Sequence, residues 1–248
     1  FQVFKYVLIK FQVTYLRLAA FLDRYLGTLE LDRVDFYENH KIIEVLLKIL
    51  VYDITAFGHS LFILIMTQLN IPEKIETTRL LLQRLRYEDA EEIFYTYASK
   101  PEVTRYLAWP THRSVEDTRA FLRYAIESWH QGTDYSFSIR LKNTYQFIGC
   151  FGAIHEDGKI QFGYALSPTH WGQGYATEVC RKMMTILSAI PSLYRIGTFV
   201  DIENEASLKV LLNSGLIEEG RLKKWFRFVN QDNEPKDCAV FRLPVNGR

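Results

Sequence analysis

Three cysteines in 248 residues, at Cys150, Cys180 and Cys238, are too few and too far apart for a disulfide framework or a metal-ligand cluster. No bound metal is expected, and a reducing, cytoplasmic compartment is the natural reading. Charge of one sign is also missing. Thirty basic residues meet 29 acidic ones, a formal net charge of +1. That balance gives no electrostatic reason to expect a nucleic-acid or membrane-surface partner. Long apolar runs are absent. The nearest, from Ile54 to Met66, is interrupted by His59 and falls short of the ~20 residues a membrane-spanning helix needs. There is no internal repeat and no low-complexity tract. What remains is a chain that is 48% hydrophobic, enough for one large domain, or for an ordinary domain plus an extension.

Residues 1–65 differ from the rest. They contain no proline and no methionine, and Gly27 and Gly58 are their only glycines. In "KIIEVLLKILVY" the residues Ile42, Ile43, Leu46, Leu47 and Leu50 form a helical stripe, and an earlier helix is expected to stop at Gly27. Met66 is the first methionine. Two readings stay open: residues 1–65 are an all-α extension, or they are sequence that the working protein lacks. A second unit is expected over 66–248, with a boundary near the polar stretch "NIPEKIETT" (70–78).

From Thr78 onward strands and helices mix. "RLLLQRLR" reads as a strand, and "YEDAEEIFYTYASK" (87–100) as a helix. Ser114, three residues before Asp117, resembles a capping box at the start of a helix. "YSFSIRLK", "QFIGCFGAIH" and "IQFGYALS" read as successive strands with turns at "KNT" and "EDGK". A strand over "LYRIGTFVD", a helix over "NEASLKVLLNSG" and two closing strands follow.

The stretch "SPTHWGQGYATEVCRKMMTIL" stands out. Ala176, Val179, Cys180, Met183, Met184 and Leu187 make the core stripe of a helix. That helix is entered through Gly172-Gln173-Gly174. A helix start offers N–H groups without intrahelical partners and the positive end of the dipole, which together suit a phosphate. Glycines there let the backbone approach a bulky anion. Without G-K-[ST] the turn is not a P-loop, and without a third glycine it is not the dinucleotide fingerprint.

"GYALSPTHWGQGYATEV" resembles the acetyl-CoA-binding segment of the GNAT superfamily of N-acetyltransferases, and in particular the branch of Rim-type ribosomal-protein N-terminal acetyltransferases. Trp171 stands where other branches have Gln or Arg. "NEASLKVLLNSGLIEEG" and "TTRLLLQRLRYEDAEEIF" resemble two further blocks of that branch, and the resemblance spans about 76–244. It implies a mixed, mostly antiparallel central α/β sheet with two splayed central strands and flanking helices. Trp171, Gly172, Gln173, Gly174, Tyr175, Ala176 and Thr177 would hold the pyrophosphate of acetyl-CoA. The pantetheine arm would bond to a free strand edge near Ala165, Leu166 and Ser167, and Asn204 would both cap its helix and touch the cofactor.

Transfer of acetyl to an amine needs a neutral amine, a donor for the oxyanion and a donor for the leaving thiolate. Many family members use a Tyr for the last task, at the position of Leu211 here. The resemblance assigns it to Ser207 instead; the bland alternative is a serine bonding within its own helix. Where the branch often has a Glu, this chain has Gln161, which cannot act as a base but can line the acceptor side. Trp109 lies where the branch builds its acceptor pocket, the alternative being an ordinary core aromatic. Glu178, Glu203, His155, His170 or a water relay remain as routes for the amine proton. The expected partner is a primary amine, either a protein N-terminus or a small molecule, and a monomer or homodimer is expected. Two rivals are a catalytically weak acyl-CoA-binding module and a partner protein held at a membrane by the N-terminal helices.

Overall fold

A computed structural model describes residues 68–244. The expected helices of residues 1–65 lie outside the described residues, and the stretch where the boundary was expected, 70–78, lies inside them. Eight strands form one sheet: β1 (Lys74–Glu76), β2 (Leu80–Arg84), β3 (Asp134–Leu141), β4 (Phe147–Glu156), β5 (Lys159–Leu166), β6 (Arg195–Asp201), β7 (Ile217–Arg227) and β8 (Pro235–Arg242). Their order is β1-β2-β3-β4-β5-β6-β8-β7. Every neighbouring pair is antiparallel except β5 and β6, which run parallel.

The local chemistry explains the tightest joint. β4 and β5 meet at Asp157-Gly158, both in the left-handed region at φ 45° and 76°, as a two-residue hairpin of this handedness requires. "EKIE", read as polar boundary, supplies the short β1 through one buried residue, Ile75.

The helices follow. Residues 87–100, expected as one helix, are helical without a break from Tyr87 to Ala98, but the winding changes along them. A 3₁₀ turn at Tyr87–Asp89 leads into α1 (Ala90–Ile93), then a π turn at Phe94–Ala98. The Ser99 hydroxyl donates to the Phe94 carbonyl at 2.7 Å, and the Ser99 N–H reaches the same oxygen, widening the last turn. Pro101 then opens α2 (Pro101–Thr104) at the position where its missing N–H costs nothing. α3 (Val115–Gln131) has the predicted box: the Asp117 N–H donates to Ser114 Oγ, and the Ser114 N–H donates to the Asp117 carboxylate. Gly132, at φ 75°, ends it. α4 (Tyr175–Ser188) buries Val179, Cys180, Met183, Met184 and Leu187 of the predicted stripe and leaves Ala176, at its first turn, partly buried, and α5 is Glu205–Asn213.

One cluster, around Leu82, Phe137, Phe151, Phe162 and Met183, packs α4 on the sheet. Another, around Ile93, Tyr97, Val103, Leu122 and Ala165, packs α1 to α3. Arg140 of β3, 3% exposed, pins α1 with ion pairs to Asp89 (2.9 Å) and Glu92. The outer strand β7 is exposed along nearly its whole length. Lys223, Lys224 and an irregular register between Leu222 and Phe226 make it a poor template for edge pairing. Among the described residues no helix is long and apolar enough to cross a membrane.

Candidate active site

β5 and β6 share only three pairs: Lys159 with Arg195, Ile160 with Ile196, and Gln161 with Gly197. Beyond them the strands diverge. At the apex the Thr198 hydroxyl donates to the Phe162 carbonyl at 2.7 Å, so a side chain replaces the next ladder bond. β6 keeps its other neighbour, pairing with β8 from Gly197 to Asp201. β5 likewise stays paired to β4 as far as Leu166.

Strand alternation fixes which backbone groups line the gap. The Phe162 carbonyl faces β6, and the Leu166 carbonyl accepts the Trp171 indole N–H at 2.8 Å. Tyr164, between them, shares their side. The Ala165 carbonyl instead faces Gly149 of β4, and the Ser167 N–H donates to the Ile148 carbonyl at 2.8 Å. The open edge predicted near Ala165, Leu166 and Ser167 is therefore made by Tyr164 and Leu166, while the two odd-numbered residues hold β4.

A cavity of about 800 Å³ fills the gap. Its walls come from α2 and the residues after it (Val103, Tyr106, Leu107), from β5, from β6 and from the first turns of α4 and α5. At one end lies the glycine turn. Gly172 and Gly174 have φ of 71° and 77°, and neither has backbone within 4 Å of where a Cβ would stand. Their glycine requirement is thus one of backbone conformation. The Glu178 N–H closes the first helical bond of α4 on the Gly174 carbonyl at 3.0 Å. The N–H groups of Tyr175, Ala176 and Thr177 have no intrahelical partners, and all three residues line the cavity.

A cation absent from the sequence reading stands beside this turn. Arg79 donates from Nη1 to the Gln173 carbonyl (3.0 Å) and from Nε to Glu178 (2.7 Å), and lies 4.3 Å from the centre of the Tyr175 ring. Its Nη2 points at Gly174, 3.6 Å from a Cβ there. Glu178 also accepts from the Thr77 hydroxyl and the Arg79 N–H. Burial alone would raise its pKa; the donors from Thr77 and Arg79 outweigh burial and hold the carboxyl below its ordinary value. Bound in this way, Glu178 is a brace for the turn and no base.

At the other wall Asn204 caps α5, its Oδ1 accepting the Ser207 N–H at 3.2 Å. Ser207 lines the cavity, as do Asn204 and the buried Leu211. The remaining candidates are dispersed. His155 is bonded through both ring nitrogens, to the Gly132 carbonyl and the Gly158 N–H. Glu203 pairs with Arg105 (3.7 Å) and Lys236 (3.5 Å). His170 lines the cavity beside the glycine turn, and partial burial lowers its pKa. Gln173 faces away and bonds the Thr169 carbonyl. Gln161 is exposed at the last shared rung, outside the cavity lining. Trp109 packs edge-on to Tyr97 and over His112 in the second core cluster, and Tyr106 and Leu107 line the wall in its place.

Residues 79–217 match the family model described as an acetyltransferase (GNAT) domain. The chain belongs to the GNAT acetyltransferase family. Its curated relatives include an uncharacterized N-acetyltransferase, YoaA, of Bacillus subtilis (strain 168), 30% identical over 172 residues that make up 68% of this chain and 95% of YoaA. Among solved structures, the GNAT fold described here is similar to that of RimL, a ribosomal alpha-N-protein acetyltransferase in complex with coenzyme A. The TM-score is 0.63 at 19% identity, covering 71% of this chain and 100% of RimL. A spermidine N-acetyltransferase from Vibrio cholerae, in complex with CoA and spermine, has a TM-score of 0.58 at 18% identity, covering 68% of this chain and 96% of that one. The protein is accordingly an acetyl-CoA-dependent GNAT N-acetyltransferase.

Proposed function

We propose that the enzyme transfers acetyl to a primary amine by direct attack in a ternary complex. The observation that carries this reading is the fork itself. The cavity runs from the unpaired N–H groups of α4, past the open edge of Tyr164 and Leu166, to the wall of Tyr106 and Leu107. The residues present fit acetyl-CoA. Tyr175, Ala176 and Thr177, with Arg79 beside them, suit a pyrophosphate, and the free strand edge suits the amides of a pantetheine arm. Acetyl-CoA supplies an activated acyl group and a thiolate leaving group. The amine enters from the side of Tyr106 and Leu107, where the acceptor is a protein N-terminus or a small molecule.

Ser207 is the donor to the departing thiolate. Its backbone N–H is used by Asn204, and its hydroxyl makes no hydrogen bond within α5. The oxyanion takes its hydrogen bond from the open edge of β5. The thiols do not act as nucleophiles: burial pushes Cys150 and Cys180 up to about 12 and Cys238 up to about 11. None of Glu178, Glu203, His155 and His170 stands free at the acceptor end, and the amine proton is taken to leave through water. Among the described residues no His, Cys, Asp or Glu group converges as a metal-ligand set, and the proposed chemistry uses none.

The test is a pair of variants. Ser207→Ala is expected to lower kcat toward the low end of the ~10²–10⁴-fold range of general-acid effects, with acetyl-CoA affinity kept. Asn204→Ala is expected to weaken acetyl-CoA binding first. Full kcat in Ser207→Ala would remove the serine from the chemistry. The buried Leu211, at the position of the family's usual Tyr, favours the second reading of a weak catalyst that mainly binds acyl-CoA. Release of free coenzyme A in an acceptor screen separates the two. Residues 66–248 are proposed to suffice, with acetyl-CoA affinity equal to that of the full chain.

A further inference from the structure

The hydroxyl of Tyr164 is buried and has no hydrogen-bond partner among the described residues. Such an orphan is costly, since a buried phenol stripped of water loses its hydrogen bonds unless something pairs with it. Tyr164 is on β5, in the middle of the open edge, and lines the same cavity as Ser207. Ser207 also leaves its hydroxyl without a bond to its own helix. Two hydroxyls without a hydrogen bond, one from β5 and one from α5, thus line the same cavity. Burial raises the phenol well above its ordinary range, opposed by the neighbouring Ser207 hydroxyl, so Tyr164 is a fixed O–H donor at neutral pH.

We propose that Tyr164 is a positioning residue whose hydroxyl, once acetyl-CoA is bound, gives a hydrogen bond to Ser207 Oγ, so that the Ser207 O–H is aimed at the sulfur. The inference rests on the assignment of Ser207 as the thiolate donor. In the step itself the amine nitrogen forms the new C–N bond and the C–S bond breaks with its pair left on sulfur. Ser207 passes its proton to that sulfur, and the proton lost by the nitrogen returns through water to Ser207 Oγ. Tyr164 keeps its own proton throughout. A hydrogen bond received at Oγ polarises the serine O–H and strengthens the bond it gives. Cys180, the other group close to the phenol among the described residues, is a protonated thiol and cannot take this role.

The experiment reads the thiol pKa of coenzyme A bound to the full-length protein, from the ultraviolet absorbance of the thiolate, alongside kcat and the melting temperature without ligand. A donor to sulfur favours the thiolate, so the bound thiol titrates lower in the wild type than in Ser207→Ala. Tyr164→Phe is expected to raise the bound-thiol pKa part of the way to the Ser207→Ala value and to lower kcat about 3- to 10-fold, a fraction of a general-acid effect. KM for acetyl-CoA should change less than twofold. In the Ser207→Ala background Tyr164→Phe should change neither quantity. The melting temperature of Tyr164→Phe should stay level or rise, because the orphan hydroxyl is gone. If Ser207→Ala shifts the bound-thiol pKa and Tyr164→Phe does not, the relay is overturned while the serine assignment stands. If neither shifts it, the serine assignment falls and takes the relay with it. An equal effect of Tyr164→Phe with and without Ser207 would mean that the phenol acts on packing alone.

Discussion

Asn230 accepts both hydrogens that Thr111 offers: its Oδ1 lies 3.0 Å from the Thr111 N and 3.2 Å from the Thr111 Oγ1. Its Nδ2 donates to the carbonyls of Thr104 and Trp109 at 2.7 and 2.9 Å. One amide in the β7–β8 connection therefore fixes residues 104–111, which contain the Tyr106 and Leu107 wall. Asn230→Ala leaves the Trp109 carbonyl and the Thr111 N–H unpaired, while the Thr104 carbonyl keeps the Leu107 N–H, and should cost about 1–3 kcal/mol in denaturant unfolding. Because the loosened wall lies on the acceptor side, KM for the amine should rise more than that for acetyl-CoA.

Gly174→Glu should abolish acetyl-CoA binding in calorimetry. The side chain enters open space beside Arg79 Nη2 and places a carboxylate where the phosphates would bind. The left-handed φ of 77° adds about 1–2 kcal/mol of destabilisation, so the folded fraction is checked by circular dichroism. Undiminished affinity would refute the phosphate site.

Glu178 gives the molecule a pH dependence whose sign can be stated. Its folded pKa lies below the ordinary 4.5. The unfolded chain therefore binds the proton more readily, and the stability this carboxylate lends is present above its ordinary pKa and lost as pH falls through the lowered one. Wild type should melt higher than Glu178→Gln near pH 7, and the gap should narrow as pH drops below 4.5. A gap that widens in acid would contradict the brace.

Thiol alkylation should leave transfer intact. Cys150 and Cys180 are buried with pKa values of about 12, so little thiolate is available near neutral pH. Labelling of these cysteines is expected only on unfolding, and rapid inactivation of the native protein would argue against the direct-attack reading.

What the sequence made legible was local. The stripe of α4, the Ser114 cap and the hairpin at Asp157-Gly158 are all written within a few residues, and the strand pattern reads through to β8. The glycine turn was found too, although its glycines answer to backbone conformation. What was hidden depends on meetings between distant positions. Arg79 joins Glu178 across 99 residues, and Asn230 joins Thr104 across 126. Neither pairing has a periodicity or a motif to betray it. The helix over 87–98 is legible, but its π turn is not, because Ser99 competes for a carbonyl that the regular pattern would assign elsewhere.

The shared rungs of β5 and β6 have a mechanical meaning. The sheet is two leaves, β1 to β5 and β6 with β8 and β7, sewn by a seam of three residue pairs and the Thr198 stitch. A molecule that bonds to β5 on one leaf and to α5 on the other continues that seam. On the proposed reading acetyl-CoA is a structural thread as well as a substrate. Departure of coenzyme A after each turnover returns the two leaves to their shortest join, and amide exchange along both strands should quicken at that moment.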